Sequence, residues 1–365
     1  MKTTWIGIKG AGTALGTLIL TGYGSCAFFS SHHPKTNQSV THALNPHSAR
    51  PSVYLAQGDG AAIVNAILSL PAEGGSVVLG GSEFLIQRPI VIDRDGIELR
   101  GTSLKTTLKL ANDANCSVVI VGSVTTPIPR IVKDVSVRLL TIDGNRDGQA
   151  WECCGGPCDV GGLTVIRNNG ITIRGAEDIC IEHVNTRRAR SGGIVLEKHC
   201  RRVFINDLES NDNHFDGLAA YEAENCTFTQ LHLHHNQSAA MSFDWKFNRN
   251  LISDSKLEHN GSQGVFMRDS IENKFRNLTI HNNGEQGIFI AQSESLPGTA
   301  CVKNTFTNLT VTGNQGHGMR INDASCVGNA VTRSRFTGNK LGNISQTSDD
   351  LLAVSEAAAA TSEVP

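Results

Sequence analysis

The sequence predicts an all-β chain wound as a parallel β-helix, a solenoid of short strands stacked coil on coil, with a short helical cap at its N-terminal end. Three observations predict it. A small residue followed by alternating apolar positions begins at Gly170, Gly193, Gly217, Ala240, Gly264, Gly287 and Gly318, at intervals of 23, 24, 23, 24, 23 and 31 residues. Each unit closes on an asparagine: Asn213, Asn236, Asn260, Asn283, Asn314 and Asn339. Only 5% of the 365 residues are aromatic while 37 are glycine, which suits a core of small and β-branched side chains with many tight turns.

Alternation means strand, because successive side chains point to opposite faces. Units this short leave no room for helical crossovers, and none carries a 3.6-residue pattern, so the parallel strands must recur by stacking. Leucine-rich repeats of similar period need several leucines at fixed places, which are absent, and propeller blades are longer. The 31-residue step holds an insertion at 293–300. Asparagine at each turn tolerates unusual backbone angles and can stack its amide on that of the next coil.

Along the chain, Lys2 and Lys9 precede an apolar run over 11–20, then small residues and Cys26. A basic start, a short apolar run and small residues behind it predict a secretory signal over 1–26, too short to span a bilayer. The protein is therefore expected to be exported: secreted, periplasmic or at the cell surface. Tyr23-Gly24-Ser25-Cys26 resembles a bacterial lipoprotein cleavage box, so membrane association is expected only through a lipid on Cys26. Residues 27–50 read as a flexible tether, 51–342 as the solenoid and 343–365 as a low-complexity tail.

Thirty-two basic against 34 acidic residues leave a formal charge of −2. That balance excludes a nucleic-acid binder, which needs clustered positive charge. Ten cysteines suit an oxidising compartment. Cys153, Cys154 and Cys158 share one loop without a nearby histidine, which favours a local disulfide over a metal site. Cys180, Cys200, Cys226 and Cys326 lie among apolar strand residues, where they are expected to fill the core. The oligomeric state is left open.

Further short motifs add a resemblance. Gly58-Asp59-Gly60 before the alanine-rich 61–66, then Gly74-Gly75, Phe84-Leu85-Ile86, Gly96 to Gly101 and Thr141-Ile142-Asp143-Gly144-Asn145, resemble the cap and first coils of the pectate-lyase-like superfamily. The resemblance implies a right-handed winding. It implies no single reaction, because lyases, hydrolases, epimerases and phage adhesins share that fold.

Equivalent outward positions on stacked strands form a ladder with rungs about 4.8 Å apart. Four residues past each motif start stand Arg174, Glu197, Tyr221, Asp244, Arg268, Ala291 and Asn322, and one position on are Lys198, Glu222, Trp245, Asp269 and Gln292. An aromatic among charged groups on an elongated face suits a sugar polymer, whose rings stack while its hydroxyls and carboxylates are gripped. Exposed strand positions must also be polar simply to suppress lateral aggregation. His214 and Asp216 lie in the turn leading to the Tyr221 rung, which makes His214 a further catalytic candidate and Asp216 a further site candidate. On the asparagine side, Asn211, His234, Glu258 and His281, with His235 and His259 one place later, are placed to bind a metal or move protons, or to decorate solvated turns.

The segment Ser242-Phe243-Asp244-Trp245-Lys246, with 264–268 after it, resembles the catalytic stretch of mannuronan C5-epimerases. Asp244 matches that family's aspartate, Trp245-Lys246 replace its Pro-His, and Met241 stands where its tyrosine usually is. The resemblances imply a carbohydrate-active protein acting on an acidic polysaccharide. The leading expectation is a polysaccharide lyase: Arg268 and Lys246 neutralise a uronate carboxylate, Tyr221, tuned by the nearby cation, carries the proton, and Asp244 orients Arg268 or keeps the carboxyl group protonated. Arg174, Glu197, Glu222, Trp245, Asp216 and Asp269 would bind substrate. Calcium at Glu197, Glu222, Asp244 and Asp269 is an alternative neutraliser, as in pectate lyases. A C5-epimerase, a glycoside hydrolase using Asp244 with Glu222 or Asp269, and a non-catalytic polysaccharide-binding surface protein remain open.

Overall fold

A computed structural model describes residues 51–149, 166–293, 299–348 and 352–354. The signal, the tether and the Cys153, Cys154 and Cys158 loop lie outside the described residues. The chain opens with the strand Ser52–Leu55 and the helix Gly60–Ser69. Asp59 caps that helix, its carboxylate accepting from the Ala62 N–H at 2.9 Å. Such a cap satisfies one of the amides that a first helical turn leaves unpaired. Ile63, Ala66 and Ile67 face inward and seal the end of the core. Among the described residues no helix is long and apolar enough to cross a membrane.

From there the chain winds as a parallel solenoid. Ten short strands stack in one sheet, and the rest form a 17-stranded sheet. The long strands of the second sheet, such as Ala176–Arg187 and Cys200–Asn211, turn a corner midway, giving each coil three faces. The corner residues are left-handed: His183, Asp207, Gln230, Asp254 and Asn277 have φ between 51 and 54°. Further along, the corner splits the strand outright into Thr305–Thr307 and Thr310–Thr312.

Two internal columns of asparagine staple the coils. Asn213, Asn236, Asn260, Asn283, Asn314 and Asn339 each pass an amide Nδ2–H to the next Oδ1, at 2.8, 2.9, 2.9, 3.0 and 2.9 Å. Each is buried, so these bonds form away from competing water. The left-handed turn residue precedes the column, at Asp212, His235, His259 and Asn282; stacking, not backbone tolerance, explains these asparagines. A second column, Asn250, Asn273, Asn304 and Asn329, repeats the device with bonds of 3.1, 3.0 and 3.0 Å.

The motif glycines reflect how closely the coils approach. A Cβ on Gly287 would meet Val311 Cγ1 at 2.4 Å and the Gly318 carbonyl at 2.6 Å. The few aromatics are concentrated inside: Phe243 stacks on Phe247 at 3.9 Å, and Phe275 on Phe306 at 4.8 Å.

Two expectations are corrected. The winding does not stop at 342, since Ile344–Gln346 pairs with Met319–Ile321 and Leu352–Val354 with the strand Asn329–Thr332. Cys180 is not a plain core filler but is disulfide-bonded, its partner lying outside the described residues. Cys200, Cys226 and Cys326 are free and buried, as are Cys116 and Cys301.

Candidate active site

A groove of about 710 Å³ runs along the outer face of the ten-stranded sheet. Its floor comes from four successive strands, Ile194–Glu197, Leu218–Tyr221, Met241–Asp244 and Val265–Arg268. On each strand the first and third residues enter the core, which leaves the second and fourth facing out. Those outward pairs are Val195 and Glu197, Ala219 and Tyr221, Ser242 and Asp244, Phe266 and Arg268, all lining the groove. Tyr221 pairs in register with Asp244. One wall is built from the turns that enter these strands and carries Arg167, Phe215, Asp216, Ser238 and Gln263. At the other rim Glu222 and Trp245 take left-handed φ values of 51 and 46°. Trp245 is 42% exposed and sets its ring edgewise to Tyr221 at 6.4 Å.

Asp216 is 1% exposed, and its Oδ1 accepts from the Ala239 N–H at 2.9 Å. Its Oδ2 is buried and meets the geometric criteria of no hydrogen bond among the described residues. Burial pushes its pKa up to about 6, against the pull of Ser238, the Ala239 amide, Arg167 and Ser242. Asp244 is also raised, by burial, although Arg268 opposes the shift. Arg268 grips Asp244 Oδ2 through Nε at 3.1 Å and through Nη2 as well, and lies over the Phe266 ring. Burial raises Glu197, with Arg174 opposing.

Tyr221 is pushed well above the usual phenol range, first by burial and then by Asp216; Arg167 pulls it down, and Asp244 and Glu197 push it up. The expectation that a nearby cation tunes this phenol is therefore corrected: burial and the acids around it outweigh the pull of Arg167. Arg167 carries its guanidinium over the Phe215 ring at 5.2 Å and has no carboxylate partner among the described residues. Among the described residues it is the cation of the groove without a carboxylate partner, whereas Arg268 is engaged by Asp244.

The structure brings together Tyr221, Asp244, Arg268, Glu197, Glu222, Trp245 and Asp216. It does not bring in the others. Arg174 is fully buried, because the loop after the strand Val119–Gly122 folds over it. Its guanidinium donates to Ser123 O at 3.2 Å and Thr126 Oγ1 at 2.6 Å, and Nε lies 2.8 Å from Glu197 Oε1. It is a strut beneath the site, not a substrate contact. Lys246 points to solvent from the turn after the Asp244 strand, outside the groove lining. His214 is also outside the lining, though its neighbours Phe215 and Asp216 are in it. Asp269 is buried and accepts from the Ser293 N–H at 3.0 Å, so it faces a later coil. Glu197, Glu222, Asp244 and Asp269 do not converge as calcium ligands: Lys198 and His199 engage Glu222, Arg174 lies on Glu197, and Arg268 holds Asp244. Sequence reasoning missed Arg167, Phe215 and Phe266. Phe266 lies two residues before the Arg268 rung, and Arg167 three before the Gly170 motif start.

The family model described as the right handed beta helix region matches residues 164–336. No curated protein matches the sequence. Among solved structures, ORF18 of Geobacillus virus E2 aligns with TM-score 0.66 and 15% identity over 83% of this chain and 61% of its own. This chain thus spans about three-fifths of that viral protein. Endo-xylogalacturonan hydrolase from Aspergillus tubingensis aligns with TM-score 0.58 and 15% identity, covering 84% of this chain and 91% of its own. The A-module of Azotobacter vinelandii mannuronan C-5 epimerase AlgE6 aligns with TM-score 0.49 and 15% identity, covering 82% and 96% respectively. At such identities the likeness is one of fold, and the fold is the right-handed parallel β-helix that the sequence predicts.

Proposed function

We propose that this chain is an exported carbohydrate-active enzyme, a polysaccharide lyase that cleaves a uronate-containing polymer in the groove. The observation that carries the reading is the grouping of an unpaired guanidinium, Arg167, with Asp216 and Tyr221. β-Elimination needs a cation to neutralise the uronate carboxylate, a base for the proton beside it and a donor for the departing oxygen. Arg167 supplies the first. Asp216, with a pKa of about 6, is ionised at neutral pH yet more basic than an ordinary carboxylate, with the Ser238 and Ser242 hydroxyls beside it. Tyr221 holds its proton and hands it to the leaving oxygen. In the step the C5–H bond breaks toward Asp216, its electron pair forms the C4–C5 double bond, and the C4–O bond breaks as the oxygen takes the phenolic proton. The proton on Asp216 then returns to the tyrosinate through solvent. Trp245 and Phe266 offer ring faces for sugars, and Arg268 positions Asp244.

C5-epimerisation shares the first half of this chemistry and differs only in returning a proton from the opposite face. Glycoside hydrolysis is the second reading, favoured by the raised Asp216 and Asp244 in one groove, since a glycosidase needs one carboxyl group still protonated. The test is incubation of purified protein with alginate, pectate and glycosaminoglycans, with calcium or with chelator. Ultraviolet absorbance from a 4,5-unsaturated product supports the lyase. New reducing ends without that absorbance mean hydrolysis, and deuterium uptake from solvent without depolymerisation means epimerisation. Binding without turnover would reduce the groove to a recognition surface. Export rests on residues 1–26; a chain found wholly in the cytoplasm with an intact N-terminus would overturn it.

A further inference from the structure

We propose that Glu209, His232 and His234 form a site for one divalent transition-metal ion of the Zn²⁺ type, on a different face of the coil from the groove. His232 and His234 stand two apart on the strand Thr227–His234, so their side chains leave the same face. Glu209, on the coil before, pairs in register with His232. One ligand atom from each residue lies within 4.8 Å of the other two, and all three are half-buried. His234 Nε2 is 3.3 Å from Glu209 Oε1. That is close to the roughly 3.4 Å separating two ligands on a tetrahedral ion held at about 2.1 Å.

The surrounding groups complete the arrangement. Glu258 Oε1 lies 2.8 Å from His232 Nε2, and the same carboxylate receives His281 Nε2 at 3.1 Å, His259 Nδ1 at 3.2 Å and Lys256 Nζ. His234 Nδ1 sits 2.8 Å from His235 Nδ1, and a metal ion would take the place of the proton that His234 Nε2 donates to Glu209. Carboxylate and imidazole neighbours of this kind fix ring orientation and raise ligand basicity in metal sites. Two imidazoles and one carboxylate suit Zn²⁺, Co²⁺ or Ni²⁺ rather than calcium. The ion would bridge two successive coils, and it shares no residue with the groove, so it stands or falls independently of the lyase reading.

The experiment is titration of the chelator-treated full chain with Zn²⁺ by calorimetry and with Co²⁺ by visible absorption, alongside thermal unfolding with and without Zn²⁺. The expected result is one tight equivalent, a tetrahedral Co²⁺ spectrum and a raised unfolding temperature. His232→Gln with His234→Gln should remove that equivalent, and Glu258→Gln should weaken it about 10–100-fold. Glu209→Gln, at a half-exposed position, should weaken it as well, while His183→Asn should leave it unchanged. Absence of Zn²⁺ binding by the parent chain would overturn the proposal. So would an equivalent that survives both the double variant and Glu209→Gln, because the ion would then sit elsewhere, for instance on the histidines within 1–50.

Discussion

Replacing Asp216 by asparagine tests the groove more sharply than any other change, because the same burial that would make this residue a useful base also strains the fold. Its pKa rises from 3.8 to about 6 on folding, which at about 1.4 kcal/mol per unit amounts to about 3 kcal/mol. At pH values below 3.8 the carboxyl is protonated in both native and unfolded chains and costs nothing. Between 3.8 and about 6 the unfolded chain releases a proton that the native chain keeps, so stability falls as pH rises. Above about 6 the whole cost is present. Asparagine keeps an oxygen to accept from the Ala239 N–H and never ionises. The variant should therefore match the parent near pH 3.5 and exceed it by up to about 3 kcal/mol at neutral pH. Urea unfolding followed by tryptophan fluorescence at several pH values measures the difference. The variant should also lose elimination, and the parent's kcat/KM should climb through about pH 6 as the base ionises. A variant no more stable than the parent at neutral pH, or one that still forms unsaturated product, would refute the reasoning. Parent activity that instead falls through that pH would assign Asp216 as a general acid and point to hydrolysis.

Tyr221→Phe should lower kcat by about 10²–10⁴-fold with little change in KM, measured on the polymer that the panel identifies. Arg167→Ala should raise KM at least tenfold for a uronate polymer, and a uronate methyl ester should be insensitive to the change; equal losses on both would argue against carboxylate neutralisation. Asn260→Ala removes an acceptor for Asn236 and a donor to Asn283 and Leu233 O, all buried. With unsatisfied buried groups costing about 1–3 kcal/mol each, chemical denaturation should show a loss of at least about 3 kcal/mol.

The solenoid was legible because its period is written in short-range alternation and in the recurrent asparagines, both of which survive without knowledge of any long-range contact. The rung order was legible for the same reason: once coils stack, Tyr221 must sit beside Asp244, and it does. The second asparagine column carries nearly the same intervals, 23, 31 and 25 residues, and was available to the same counting. What the period cannot report is what covers a rung. Arg174 occupies an outward position, but the segment around Ser123 and Thr126 closes over it, a contact between residues some fifty apart that no repeat encodes. Nor does spacing give the sign of a local field. The pKa of Tyr221 is raised first by burial, and then by three acids gathered from three different coils against the pull of Arg167.

The buried Arg174 has a consequence for the length of chain the cleft can hold. With that rung closed, the open floor comprises those of Glu197, Tyr221, Asp244 and Arg268, a distance of about 14 Å at the interval between neighbouring strands. On the proposed reading, a trench of that length would seat a trisaccharide-sized stretch and end at the covered Arg174 rung. Under the lyase reading, a polymer lying along the groove would meet that covered rung at one end, which would favour fragments of limited length.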